Sequence, residues 1–388
     1  MNKVVIVSAA RTPLGKFGGK LKDIKAPQLG AYALQGALEK INLSPEDIEL
    51  VIMGNVLQAG LGQNPARQSA FLAGVGKETP AFTVNEVCGS GLKTIHLAMQ
   101  AIKLGEQDIV AVGGFENMSQ TPYILKNSRF GANYNNLELK DLLHHDGLLD
   151  VYSGEPMGIT AENIAELHNI TREQQDKYAF ESTQRAIKAI ESGVFADEIV
   201  PVEIKGGVLD QDEGVRFDTS LEKLSKLRPA FKENGSVTAG NSSTLNDGAA
   251  ALILMSEQEA LRRGMKILSY VEDYQEIGME PSLMGYAPFY AIDKLVKKND
   301  LDLSAIDLFE INEAFASQMI AVINDLKLDA SKVNVNGGGI SLGHPIGTSG
   351  ARIVVSLVHQ MNRDNVEQGI ASICMGGGMG SALLLNRN

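Results

Sequence analysis

Two stretches near opposite ends of the chain carry the same order of segments, and a chain built on a repeated unit folds as related, packed bodies. Leu43-Ser44-Pro45-Glu46-Asp47-Ile48-Glu49-Leu50 runs into apolar Val51-Ile52-Met53 and then Asn55; Leu303-Ser304-Ala305-Ile306-Asp307-Leu308 runs into Phe309-Glu310-Ile311-Asn312. A helical apolar spacing precedes each copy, through Ala31, Leu34 and Leu38 in one and Ala291, Leu295 and Val296 in the other. Each half then repeats a Gly-rich turn, a long helix and a short apolar strand expected to stop at paired glycines. The first has Cys88-Gly89-Ser90-Gly91, a helix carrying Leu92, Ile95, Met99 and Ile102, and a strand Ile109-Val110-Ala111-Val112 before Gly113-Gly114. The second has Gly337-Gly338-Gly339 through Gly350, a helix carrying Ile353, Leu357 and Met361, and a strand Ala371-Ser372-Ile373-Cys374 before Gly376-Gly377-Gly378.

Strands alternating with helices predict an α/β chain whose mostly parallel sheets are buried on both faces, with reactive groups where strand ends meet helix starts. Residues 118–250 repeat neither half. They hold a His144-His145-Asp146 turn, a predicted helix from Arg172 to Ser192 and several Gly breaks, and are read as an inserted loop domain. The N-terminal half is then 1–117, with a return to it near residue 250, and the C-terminal half 251–388.

A length of 388 residues suits two or three domains, and 44% hydrophobic with 21% charged residues is the balance of a globular chain. No apolar run approaches a bilayer span, so the expected compartment is the cytoplasm, without a membrane partner. A formal net charge of −12 opposes nucleic-acid binding. Two cysteines, Cys88 and Cys374, are too few for a disulfide framework; isolated cysteines are more often small core residues than catalysts, so their neighbours decide.

Cys88 precedes Gly89-Ser90-Gly91 at the start of a helix, where unpaired backbone N–H groups favour thiolate over thiol. His344 sits in Gly343-His344-Pro345-Ile346-Gly347 just before another helix, and imidazole is suited to taking a thiol proton near neutrality. The other five histidines are read as structural or solvated, and no ligand spacing around His144-His145-Asp146 supports a metal. Cys374 ends a strand before glycines and reaches the same edge as Cys88 if the halves pack face to face. Gly376 can then offer its N–H to an oxyanion. Asn312, in Asn312-Glu313-Ala314-Phe315-Ala316, either caps the next helix or holds a water or carbonyl. Arg216, Lys223, Lys226, Arg228 and Lys232, beside Phe231, form the main basic concentration, either a solvated face or an anion-binding rim.

Asn85-Glu86-Val87-Cys88-Gly89-Ser90-Gly91, Asn312-Glu313-Ala314-Phe315-Ala316, Asn336-Gly337-Gly338-Gly339 through Gly347, and Cys374-Met375-Gly376-Gly377-Gly378-Met379-Gly380 together resemble the thiolase family, in family order and over essentially the whole chain. The resemblance implies a five-layered α-β-α-β-α core of two duplicated halves, a loop domain that binds coenzyme A, and a homodimer or homotetramer. It implies catalysis by Cys88, His344, Cys374, Asn312 and the Gly376 N–H, with no metal or redox cofactor. For coenzyme A it points to Arg216 near the nucleotide and to Ser243 with Ala239-Gly240 along the pantetheine. Phe231, Met157 and Phe315 line the acyl end, and Met284 is the pocket methionine.

The activity implied is reversible Claisen condensation of two acetyl-CoA to acetoacetyl-CoA and CoA. The alternatives are a degradative 3-ketoacyl-CoA thiolase of broader chain length and, in a different class, a non-catalytic thiolase-like lipid carrier. The chain departs from the short-chain pattern at Pro156, where His is usual before Met157-Gly158, and from the family pattern in Met284-Gly285-Tyr286-Ala287-Pro288, where a second Gly is more frequent before the Pro.

Overall fold

The computed structural model describes residues 2–131, 134 and 136–387. The first half contains β1 (Val4–Arg11), α1 (Ala26–Glu39), β2 (Leu50–Gly54), β3 (Ala81–Val84), α2 (Ser90–Leu104) and β4 (Ile109–Asn117). After an excursion carrying α3 (Met157–Leu167) and α4 (Arg172–Glu191), β5 (Asn246–Ser256) returns to the same sheet. The second half follows as β6 (Ser269–Gly278), α5 (Ala287–Lys298), β7 (Leu308–Ile311), α6 (Ala316–Leu326), α7 (Ile346–Asp364), β8 (Gln368–Met375) and β9 (Met379–Asn386).

These strands hydrogen-bond in the order β3-β2-β4-β5-β1-β6-β9-β8-β7, with Gly15–Lys16 paired beside β5. Both sides of the central β1–β6 contact use one scheme: β2 is parallel to β4 as β7 is to β8, then β4–β5 and β8–β9 are antiparallel, as are β5–β1 and β9–β6. Even the outer β2–β3 pairing has a counterpart, the single parallel bridge of Phe309 with Val333. The sheet is therefore mixed rather than mostly parallel. Consecutive strands joined by a tight turn can pair only antiparallel, and parallel pairing is left to strands linked through helices.

That turn explains the excursion. In the second half Gly377 and Gly378, at φ +87° and +78°, close β8 directly onto β9. In the first half the equivalent connection, from β4 to β5, is drawn out into residues 118–245. The paired glycines of the first half do not end a strand, because β4 continues through them to Asn117. A Cβ on Gly114 would lie 2.1 Å from the Gly347 carbonyl oxygen, so glycine there lets α7 approach the sheet. Helix α7 likewise begins at Ile346, before Gly350. A Cβ on Gly350 would meet the Leu92 backbone nitrogen at 2.4 Å, so this glycine brings α7 against α2.

The layers follow from strand alternation. Val110 and Val112 of β4, with Leu252 and Leu254 of β5 and Ile373 and Leu383 of the second half, pack on Leu92, Ile95 and Met99 of α2 and Ile353, Leu357 and Met361 of α7. The opposite face of the first half, Ala111, Ala251 and Ile253, meets Leu34 and Leu38 of α1. That of the second half, Ile370, Ala382 and Leu384, meets Leu295 of α5 and Met319 and Val322 of α6. The result is the five-layered α-β-α-β-α core, with α2 and α7 shared by both halves. Residues 346–358 of α7 are buried on every side, as a helix between the two halves of the sheet must be. Among the described residues, no helix is long and apolar enough to cross a membrane.

Candidate active site

Helices α2 and α7 bring their N-terminal ends to one place, and each end carries a reactive side chain. Cys88 follows Val87, whose φ of +49° is rare for a β-branched residue and makes the sharp turn from β3 into α2. Ser90 secures that turn: its Oγ accepts from the Glu86 N–H at 2.8 Å and donates to the Val87 carbonyl at 2.6 Å. The thiolate expected from the helix terminus is not what the site favours. Burial pushes the Cys88 thiol up to about 11, against its own backbone N–H and that of Gly376, which hydrogen-bond to the sulfur. At rest the group is a thiol.

His344 supplies a ring in the right form. Ser349 Oγ lies 2.5 Å from Nδ1, and the single hydroxyl proton of Ser349 goes to the Pro345 carbonyl at 3.0 Å. The hydroxyl must therefore accept from Nδ1–H, which leaves Nε2 with a free lone pair. Burial, then the charge of Arg352, pulls His344 down to about 3, so the ring is neutral. Replacing Ser349 with alanine should remove this tautomer lock, worth ~1 kcal/mol, and lower kcat about five- to tenfold with KM little changed, as steady-state kinetics would reveal.

Asn312 is fully buried just after β7, its Nδ2 3.5 Å from His344 Nε2 and its Oδ1 without a partner among the described residues. The helix-capping alternative fails, because α6 begins after Phe315 rather than after Asn312. Cys374, at the end of β8, is buried, and burial followed by the neighbouring Cys88 raises its thiol far above the usual range.

A cavity of about 580 Å³ is lined by Cys88, His344, Cys374 and Gly376, together with Met157, Ser243, Met284 and Phe315. A second, of about 670 Å³, shares Met157, Ser243, Phe315 and His344 and continues past Ala239 and Phe231 to Arg216. Phe231 thus lines the outer cavity rather than the cysteine end, and meets Phe315 edge-on with ring centroids 6.2 Å apart. Gly240 lines neither cavity: its missing Cβ makes room for Leu227 and Leu224, each within 2.6 Å of that position. In the basic run, Lys223, Lys226 and Lys232 are spent on Asp218, Glu222 and Glu166. Arg216 is exposed at the cavity wall and has no salt bridge among the described residues.

The two departures from these patterns separate in space. Pro156 lines the outer cavity, whereas Tyr286 lines neither, stacking on Phe289 at 4.9 Å and donating to Asp325 Oδ2 at 2.5 Å. Sequence reasoning missed Ser349, Leu148 and Ile346. It also set aside His144 and His145, which lie on a π-helical turn, Leu143–Leu148, with His144 in the outer cavity and His145 in the inner. No spacing signal marks these residues; only the position of Ser349, five after His344, could have suggested a partner.

Comparison with known proteins decides the family. The thiolase N-terminal domain matches residues 4–258 and the thiolase C-terminal domain residues 265–387. The chain belongs to the thiolase family. This thiolase is 51% identical to a probable acetyl-CoA acyltransferase of Staphylococcus aureus (strain COL), with all of both chains covered. It is 50% identical to a protein of the same description from Staphylococcus epidermidis, covering 100% of this chain and 99% of that one. Among solved structures it superposes with a TM-score of 0.97 on the acetyl-CoA acetyltransferase of Bacillus anthracis and, equally, on human mitochondrial 3-ketoacyl-CoA thiolase. Each is 44% identical, and each comparison covers 100% of this chain and 99% of the other. The human enzyme is also known with CoA bound. The thiolase is accordingly an acyltransferase.

Proposed function

We propose that this thiolase is an acetyl-CoA C-acetyltransferase, joining two acetyl-CoA molecules reversibly into acetoacetyl-CoA and CoA. The observation that carries the reading is the meeting of Cys88, His344, Cys374 and Gly376 in one cavity that opens into a second bearing Arg216. His344 Nε2 takes the Cys88 thiol proton as sulfur attacks the first thioester, and the N–H groups of Cys88 and Gly376 hold the developing oxyanion. CoA leaves with the proton from His344, and the acetyl group stays on Cys88. Cys374 then passes its thiol proton to His344 Nε2, so that the thioester oxygen of the second acetyl-CoA accepts from His344 Nε2–H and from a water fixed by Asn312, while the Cys374 thiolate removes the α-proton. The carbanion attacks the acyl-Cys88 carbonyl, the bond to Cys88 sulfur breaks, the Cys88 thiolate takes the proton from His344, and acetoacetyl-CoA is released. In the cleavage direction the Cys374 thiol protonates the departing enolate, a role suited to its raised pKa. None of these steps uses a metal or redox cofactor.

Arg216 would meet the anionic nucleotide of coenzyme A, with Ala239 and Ser243 along the pantetheine and Met157, Met284 and Phe315 around the acyl group. A homodimer or homotetramer in the cytoplasm is the form this reading expects. The exposed Phe82 on edge strand β3 suits burial against a second copy.

A second reading, 3-ketoacyl-CoA thiolysis over longer chains, draws support from the inner cavity itself. Its wall runs on to Val151 and Tyr152, which are 75% and 73% exposed, so an alkyl chain has an outlet toward the surface. Thiolysis of 3-ketoacyl-CoA substrates from four carbons to about sixteen, with free CoA, tests both. Activity confined to acetoacetyl-CoA is the expected result; rates rising with chain length would assign the enzyme to degradation instead. Silence on every substrate would leave the non-catalytic carrier, against which the joint presence of Cys88, His344 and Cys374 speaks.

A further inference from the structure

Glu116 is a fully buried carboxylate near the end of β4 that lines neither cavity, yet its two oxygens collect four N–H donors from two separate parts of the site. Oε1 accepts from Asn55 Nδ2 at 2.7 Å and from the Leu57 N–H at 3.2 Å. Oε2 accepts from the Val56 N–H at 3.1 Å and from the Gly347 N–H, in the first turn of α7, at 3.0 Å. At all four places the carboxyl is the acceptor, which favours the ionised form against the burial that pushes Glu116 up to about 7, and an amide in its place would set a donor against a donor. The contact is close: a Cβ on Gly347 would lie 2.7 Å from Oε2.

What Glu116 joins matters for the reaction. Val56, Leu57 and Ile346 form one apolar cluster, and Cys88 packs against it. Ile346 also lines both cavities and stands two residues from His344. The loop after β2 therefore forms one wall beside the nucleophile, and the first turn of α7 carries the base. Their separation is set through the carboxylate that both donate to.

We propose that Glu116 is a positioning residue for the acyl-transfer step: an ionised buried latch that holds the start of α7 against the loop at residues 55–57 and so fixes His344 relative to Cys88. The inference rests on the roles of Cys88 and His344 proposed above. A latch of this kind acts on the geometry between two reacting groups and makes no contact with Arg216, Ala239 or Ser243, so it governs kcat and not the affinity for CoA. Displacing a base by ~1 Å costs on the order of 100-fold in rate.

The test is Glu116→Gln in the full chain, read by acetoacetyl-CoA thiolysis alongside thermal unfolding. The expected result is a fall in kcat of about 30-fold with KM for CoA within about twofold of the wild type, because only the alignment of the reacting groups is lost. A kcat within about threefold of the wild type, or a rise in KM matching the fall in kcat, would overturn the proposal. If the glutamine variant does not fold, Asn55→Ala removes one of the four donors and leaves the carboxylate. It should lower kcat about threefold to fivefold at unchanged KM, and an unaltered kcat would overturn the latch. Cys88→Ala run in parallel separates the two ideas: if that variant turns over, the nucleophile assignment fails and the latch with it, whereas an inactive Cys88→Ala beside an unaffected Glu116→Gln overturns the latch alone.

Discussion

Cys374→Ala is expected to split the reaction at its midpoint. Incubated with acetyl-CoA, the variant should still become acetylated on Cys88 and still exchange label between acetyl-CoA and free CoA, since these steps use Cys88, His344 and the oxyanion-binding N–H groups. It should form acetoacetyl-CoA ~10³-fold more slowly than the wild type, the range lost when a positioned acid–base group is removed. Mass spectrometry of the intact protein reads the first result and product formation the second. If the variant condenses at the wild-type rate, the α-proton goes elsewhere. If it fails to acylate, Cys374 takes part in the first half-reaction as well.

Cys88→Ala has the larger expected effect. Without the sulfur no acyl-enzyme can form, and turnover should fall by on the order of 10⁵- to 10⁶-fold, as happens when the nucleophile of a coupled catalytic group is deleted. Cys88 is only partly buried and meets its apolar neighbours at the cavity wall, so the substitution should leave the fold intact. The paired measurement is the absence of a thioester adduct by mass spectrometry together with an unchanged unfolding transition. Near-normal turnover would remove Cys88 from the mechanism altogether.

Both expectations depend on a resting state that local sequence misjudged. The turn at Cys88-Gly89-Ser90-Gly91 is a helix terminus, as its glycines and the following apolar spacing indicate, but the thiolate inferred from that terminus ignores burial. Burial raises Cys88 to about 11 and lowers His344 to about 3, so the pair rests as thiol and neutral imidazole. In the mechanism proposed above, His344 therefore takes the proton as the sulfur attacks. The same kind of correction applies to Gly240 and to the lysines of the basic run. Their residue types suit a ligand site, yet one fills a packing gap and the others meet carboxylates.

Amino-acid order alone determined the duplication, the alternation of strands and helices, and the turns that end in Cys88, Asn312, His344 and Cys374, because each is written in local periodicity and in glycine placement. Only the tertiary structure decided which of these turns share a cavity, that β4 passes through its glycines to meet α7, and that Ser349 and Glu116 stand behind His344. Those relations join residues as far apart as Glu116 and Gly347, whose contact depends on a carboxylate and an N–H meeting at 3.0 Å. Local propensity carries no record of that distance. It arises when the two halves of the sheet close on the same pair of helices, and the protonation states follow from the water that this closure excludes.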